Sequence, residues 1–289
     1  MAGSRYAAYR PRIIPGPRGL RAVPIRRVAS LSQTAIWDTV VAVTATTREL
    51  EVLELHRQTA FTFDERCRMT HESAPDRSRG TRFSLAGCRG GNLAVIRDDV
   101  PDLAARELER LAAEEPPMFS PQAVPVHLED FRALLGVDGS VVEHGLGLLW
   151  VFPAALTYVH DVHLVWSGTS EGHLLLARFA DAMPESLVDR GFRRPTDIWE
   201  PWCVALVDDQ VASIAETVRT GPGGAEVGVD TDVGLRGLGL GAAATAGWST
   251  HPDLDRLRLF YSTTRENTSS RRLTDRLGLR YLGSTFAVS

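Results

Sequence analysis

A chain of 289 residues, 44% hydrophobic and 24% charged, can bury a substantial core as one large domain or two smaller ones. Its net charge of −4 gives no reason to expect nucleic acid as a partner. All 32 basic residues are arginine, which excludes lysine from any catalytic role. Cys67, Cys88 and Cys203 are odd in number and far apart. They match neither a disulfide framework nor a zinc spacing and suit a reducing, cytoplasmic setting.

The first 37 residues carry seven arginines and no acid. Prolines at 11, 15, 17 and 24 forbid a continuous helix there. No apolar run resembles a signal peptide core or approaches the roughly 18 residues of a membrane span. Residues 1–47 are therefore read as a basic, disordered extension rather than a targeting or polyanion-binding arm.

A helical signal runs from Arg48 to Arg57, and Phe61 and Phe63 alternate with threonines as on a half-buried strand. Residues 70–80 read as a loop, and Arg82 to Arg97 as two strands about a Gly90-Gly91 turn. Asp98 to Pro101 offers caps for a helix reaching Glu115, with Leu103, Leu108 and Leu111 on one face. A helix from His127 to Leu135 and an apolar strand from Leu146 to Phe152 follow. Residues 48–155 are thus expected to form a small α+β region without chemistry of its own.

Residues 156–289 are more regular. Glu171 to Ala182 is helical, with Leu174, Leu175, Phe179 and Met183 inward. Strands are expected over Trp202 to Val207, Val211 to Thr220 and Ala225 to Thr231, forming an antiparallel meander. The period then switches to helix at the run Arg236-Gly237-Leu238-Gly239-Leu240-Gly241-Ala242. A strand from Leu257 to Thr263, a helix from Asn267 to Leu277 and a strand from Tyr281 to Val288 complete the chain.

Glycines bring backbone N–H groups close to a ligand, and the start of a helix favours phosphate. Gly237-x-Gly239-x-x-Ala242 also fits a dinucleotide fingerprint. That fold needs an acid about twenty residues on; Tyr261 and Ser262 stand there, and only about fifty residues remain for further βα units.

Arg236-x-x-Gly239-x-Gly241 resembles the Arg/Gln-x-x-Gly-x-Gly/Ala signature of the GCN5-related N-acetyltransferases (GNAT). The segment from Tyr261 through Asn267, Ser270 and Leu273 to Leu277-Gly278-Leu279 resembles that family's next motif, and the two stand in the family's order. The likeness is clear over 195–289. The upstream half resembles that of bacterial two-part members.

The resemblance implies an α/β (α+β) GNAT fold: a mixed central sheet whose two parallel strands, Ala225–Thr231 and Leu257–Thr263, splay to admit the pantetheine arm of acetyl-CoA. It implies that the backbone from Arg236 through Gly237, Leu238, Gly239, Leu240 and Gly241 to Ala242 holds the pyrophosphate. Val229 and Thr231 would flank the pantetheine, and Asn267 and Ser270 would contact the coenzyme. The implied activity is acetyl transfer from acetyl-CoA, as co-substrate, to an amine. No metal, nucleic-acid or membrane partner is implied.

Glu226, on the strand before the glycine loop, stands where many members carry a general base, with Asp230 on the same face. The family's usual acid, a tyrosine seven residues after the asparagine, is Thr274 here; Tyr261 is the substitute, with Tyr281 as an alternative. That departure keeps open a non-catalytic module that binds acyl-CoA or a protein partner. His160 and His163 flank Asp161 without a third ligand, and Cys203 reads as a core residue.

Overall fold

The computed structural model describes residues 33–136 and 144–289, with side chains over 46–136 and 145–289. The chain divides into two units, Met1–Val41 and Ala42–Ser289, and the core and site belong to the second. Most of the expected basic extension, residues 1–32, lies outside the described residues. The helix expected at Arg48 is longer, running as α1 from Gln33 to Ala60.

The elements that follow are β1 (Phe61–Phe63), β2 (Met69–Glu72), β3 (Phe83–Cys88), β4 (Gly91–Ile96), α2 (Asp102–Glu114), α3 (Leu128–Leu135), β5 (His144–Val151), β6 (His163–Trp166), α4 (Ser170–Asp181), α5 (Glu185–Val188), β7 (Trp202–Val207), β8 (Gln210–Gly221), β9 (Gly224–Thr231), α6 (Leu240–Trp248), β10 (Arg258–Thr264), α7 (Thr268–Arg276) and β11 (Arg280–Val288). Strands β1 and β2 pair with each other, and nine strands form one sheet in the order β4-β3-β11-β5-β10-β9-β8-β7-β6. Every neighbouring pair in that sheet is antiparallel except β9 and β10.

The sheet crosses the boundary expected at 155/156. β5 lies between β10 and β11 and is apolar on both faces: Leu148 and Trp150 join one buried cluster, Leu149 and Val151 another. A strand buried on both faces must be interior to a sheet. The α+β region is therefore continuous with the C-terminal elements.

One face carries α6, whose small residues let it sit close to β7 and β8. Gly247 marks that closeness: a Cβ there would stand 2.5 Å from Cys203 Sγ. The same face carries α7, through Leu273 and Leu277, and α2 with α3 over β3 and β11. The opposite face carries α4 and α5 over β7 and β8, and α1 over β5, β10 and β11.

Local expectations failed where helical angle was misjudged. Leu103 is 77% and Leu174 68% exposed. The buried stripe of α2 is Ala105, Leu108, Leu111 and Ala112, and Leu103 lies five positions from Leu108, about 140° away. In α4 the stripe is Leu175 and Phe179, one turn apart, and Leu174 stands about 100° off it. Helix α2 begins after Pro101 with no side-chain cap, so the aspartates before it do not cap it. Met69–Glu72, expected in or beside a loop, pairs antiparallel with β1. The edge strand β6 was not anticipated.

Candidate functional site

β9 and β10 pair through three rungs only: Arg258 with Gly224, Leu259 with Ala225 and Phe260 with Glu226. Beyond them β9 continues to Thr231 and β10 to Thr264 without pairing to each other. The expected splay therefore opens at Val227. Each strand is held on its far side: β9 pairs with β8 to Thr231 and β10 with β5 to Thr264.

A cavity of about 260 Å³ lies in this opening. Val229, Asp230 and Thr231 line it from β9, and Tyr261 from β10. Arg236, Gly237, Gly239, Leu240, Gly241 and Ala242 line it from the glycine loop and α6, and Asn267, Ser270, Arg272 and Arg276 from α7. Two sequence candidates are not among the lining residues. Leu238 points outward, 60% exposed, and only its carbonyl is engaged, by His160 Nε2 at 3.0 Å. Glu226 is buried.

The loop takes its shape from glycine. Gly237 and Gly239 have φ of +85° and +88°, a region other residues enter only with strain. Gly239 is the N-cap of α6 and supplies no side-chain acceptor. By contrast, the Thr169 side chain caps α4 and Asn267 Oδ1 caps α7, accepting from Ser270 N–H at 3.0 Å. The first backbone bond of α6 runs from Ala243 N–H to the Gly239 carbonyl, leaving Leu240, Gly241 and Ala242 with N–H groups that have no helical partner. Those donors and the helix dipole open on a cavity that Arg236, Arg272 and Arg276 also line, a setting suited to an anion.

Close packing keeps it open. A Cβ on Gly239 would stand 2.8 Å from Arg276 Nη1 and 2.9 Å from the Tyr158 hydroxyl, and one on Gly241 2.9 Å from Thr231 Oγ1. Sequence reasoning missed Arg272 and Arg276, although their i, i+4 spacing on a helix was the available signal. Nothing local announces Tyr158 or His160, which reach Gly239 and Leu238 across about eighty residues.

Tyr261 lies in the cleft with its hydroxyl donating to Ser270 Oγ at 2.9 Å. Burial raises its pKa, a shift the Ser270 bond opposes and the Glu226 charge reinforces, so it keeps its proton at neutral pH. Thr274 is fully buried and donates to the Arg271 carbonyl; it offers the cleft nothing. Tyr281 Oη lies 2.9 Å from Ser284 Oγ and does not line the cleft.

Glu226 is 1% exposed. Ser262 Oγ donates to it, Arg219 Nη1 lies at 3.3 Å and His56 Nε2 at 3.3 Å. Burial alone would raise its pKa, but the Arg219 charge, with His56 and Ser262, outweighs burial and holds the carboxyl well below the usual range. A carboxylate so stabilised is a poor proton acceptor. The expectation that Glu226 is the base meets this obstacle. Its place instead is at the root of the splay, where it joins β8, β9, β10 and α1.

Cys203 is buried, its thiol pKa raised by burial, as suits packing. His163 pairs with Glu171 at 2.8 Å. Among the described residues no group of three or more His, Cys, Asp or Glu side chains could hold a metal ion.

The chain matches no protein-family model and none of the curated proteins. Solved structures similar to it include a GCN5-related N-acetyltransferase from Kribbella flavida, with 16% identity, 86% of this chain and 95% of that one covered, and a TM-score of 0.36. A GNAT-family acetyltransferase from Colwellia psychrerythraea shows 13% identity over 68% of this chain and 75% of that one, with a TM-score of 0.39. A GNAT-family protein from Novosphingobium aromaticivorans shows 19% identity over 50% of this chain, with a TM-score of 0.37; the match spans 64% of that protein, less than two thirds. At these scores no residue role passes from those proteins to this chain.

Proposed function

We propose that the protein is an acyl-CoA-dependent N-acetyltransferase, moving an acetyl group from acetyl-CoA to an amine. The observation that carries this reading is the open N-terminus of α6, uncapped, headed by two left-handed glycines and ringed by three arginines, at the end of a cleft between two parting parallel strands. The pyrophosphate would accept from the N–H groups of Leu240, Gly241 and Ala242, and the arginines would balance its charge. The pantetheine arm, an extended chain of amides, would run along the unpaired edge of β9 at Val229 and Thr231. Its thioester would then reach the level of Tyr261.

Acyl transfer needs an acceptor for the amine proton and stabilisation of the departing thiolate. Tyr261 would supply the second by turning its O–H, which Ser270 Oγ accepts, toward the sulfur while the Ser270 hydroxyl donates to Tyr261 in exchange. Cytoplasmic acetyl-CoA would serve as co-substrate. No described helix is long and apolar enough to cross a membrane. A second reading, a module that binds acyl-CoA without turnover, draws on one observation: Thr274 is buried and donates to the Arg271 carbonyl rather than into the cleft.

The test is acetyl-CoA consumption by the full chain against a polyamine, an arylalkylamine, an aminoglycoside and a peptide amino terminus. Free coenzyme A released in proportion to one of them supports the enzyme. Binding of acetyl-CoA with no turnover on any of them favours the module.

A further inference from the structure

Between β5 and β6 the chain runs from Phe152 to Val162 without helix or strand. In the sheet β10, β9, β8 and β7 stand between those two strands, a separation of about 24 Å at the usual strand spacing. The segment must therefore cross the sheet. It does so on the α6 face, where Leu156, Tyr158 and Val162 pack against the cluster that holds Leu240, Ala242 and Trp248. Leu156 lines a cavity with Ser249 and Thr250 at the C-terminal end of α6, and Tyr158 and His160 reach Gly239 and Leu238 at its start. The segment is a strap laid along the helix, and it ends on the glycine loop.

The turn that it meets has little of its own to fix it. The Leu238 side chain is exposed, and Gly237 and Gly239 have none. The peptide unit between Leu238 and Gly239 turns about ψ of Leu238 and φ of Gly239, and a glycine φ is soft. One contact holds that unit: His160 Nε2 lies 3.0 Å from the Leu238 carbonyl oxygen, which has no other donor among the described residues. A carbonyl only accepts, so Nε2 carries the proton. The Tyr158 ring stacks beside the imidazole, with centroids 6.2 Å apart and planes at 25°. His160 Nδ1 is buried without a partner, so the loop is the one polar contact that the ring makes.

In a trans peptide the C=O and N–H point in opposite directions. A Leu238 carbonyl drawn toward the strap therefore sends the Gly239 N–H away from it. That N–H makes no hydrogen bond among the described residues. Gly239 lines the cavity at the start of α6, and Tyr158 and His160 do not, so strap and cavity lie on different sides of the turn.

We propose that His160 is a positioning residue for the coenzyme's pyrophosphate. From the strap it fixes the Leu238–Gly239 peptide so that the Gly239 N–H joins those of Leu240, Gly241 and Ala242 as a donor to the phosphoryl oxygens. The imidazole touches no phosphate and acts through the peptide. The inference rests on the acyl-CoA site proposed above and gives the crossing segment between β5 and β6 a part in building it.

Titration calorimetry of acetyl-CoA into the full chain tests this with wild type, His160→Phe, His160→Gln and Tyr158→Phe. Phe keeps a flat ring beside Tyr158 and removes the donor, whereas Gln places an amide N–H close to where Nε2 stands. His160→Phe should bind acetyl-CoA about 10- to 100-fold more weakly, the scale of one hydrogen bond to a charged group. His160→Gln should recover most of that loss. Tyr158→Phe should change little, because its hydroxyl stands 3.5 Å from the Gly239 carbonyl oxygen, long for a hydrogen bond. If His160→Phe does not fold, His160→Asn, whose amide stops short of the carbonyl, takes its place with the same expectation. Wild-type affinity in the variant without the donor overturns the inference and leaves the acyl-CoA site standing. A His160→Gln as weak as His160→Phe also overturns it, since ring packing alone would then explain the loss. A wild type that binds no acetyl-CoA overturns both.

Discussion

Ser262 Oγ donates a hydrogen bond to Glu226 across the last level at which β9 and β10 remain neighbours. Above that bond the strands separate and the cleft begins. Glu226 is thus fixed from four sides, by Ser262, Arg219, His56 and its own strand pairing, and its charge belongs to the architecture of the splay.

Glu226→Ala should therefore cost stability before it costs chemistry. It leaves partly exposed Arg219 with only Glu72, so the cost should stay below the roughly 3–5 kcal/mol of stranding a fully buried charge. Because folding lowers the Glu226 pKa, its contribution is complete at neutral pH. That contribution is lost as pH falls from about 4.5, the ordinary carboxylate range, toward the folded value. Urea unfolding at pH 7 checks this. A variant of wild-type stability that has lost only turnover would return Glu226 to the role of base.

Glu216 should behave in the opposite sense. Its folded pKa of about 7 lies above the unfolded value, so ionisation destabilises the fold, and stability should decline as pH rises from about 4.5 through 7. Glu216→Gln removes that decline. It should raise stability at pH 8 by on the order of 2 kcal/mol, about 2–4 °C in Tm per kcal/mol, and do little at pH 5. Thermal melts at both pH values measure it; an equal shift at each would show the effect is packing alone.

Tyr261→Phe should fold normally and bind acetyl-CoA while kcat falls by about 10²-fold, the scale for losing one hydrogen-bond donor to developing charge. Steady-state kinetics beside calorimetry separate the two. A fall in affinity with kcat preserved would make Tyr261 a wall of the cleft only.

Much of this site is legible in the sequence because it is built from short-range features. Glycines at 237, 239 and 241 must turn a strand into a helix whatever surrounds them, and Asn267 caps α7 within three residues of itself. The two-faced burial of β5 was harder to use, since an apolar run states that a strand is interior but not between which neighbours. The surroundings of Glu226 were out of reach because alternation along β9 places it on a face yet says nothing of Arg219, His56 and Ser262, which arrive from β8, α1 and β10. The raised pKa of Glu216 was invisible for the same reason: it comes from burial and from Asp230 and Asp197, which other elements bring.

The claim on which the rest depends is that the loop from Arg236 to Ala242 is the anion end of an acyl-CoA site. Gly241→Val tests it most directly. Gly241 needs no left-handed conformation, so the backbone tolerates the change, while the added side chain projects between Thr231 and Leu273 into the cleft. Titration calorimetry of acetyl-CoA into both proteins should give a saturable one-to-one isotherm for wild type and no heat beyond dilution for a folded Gly241→Val. Equal affinity in the two, or no binding by wild type, would contradict the account.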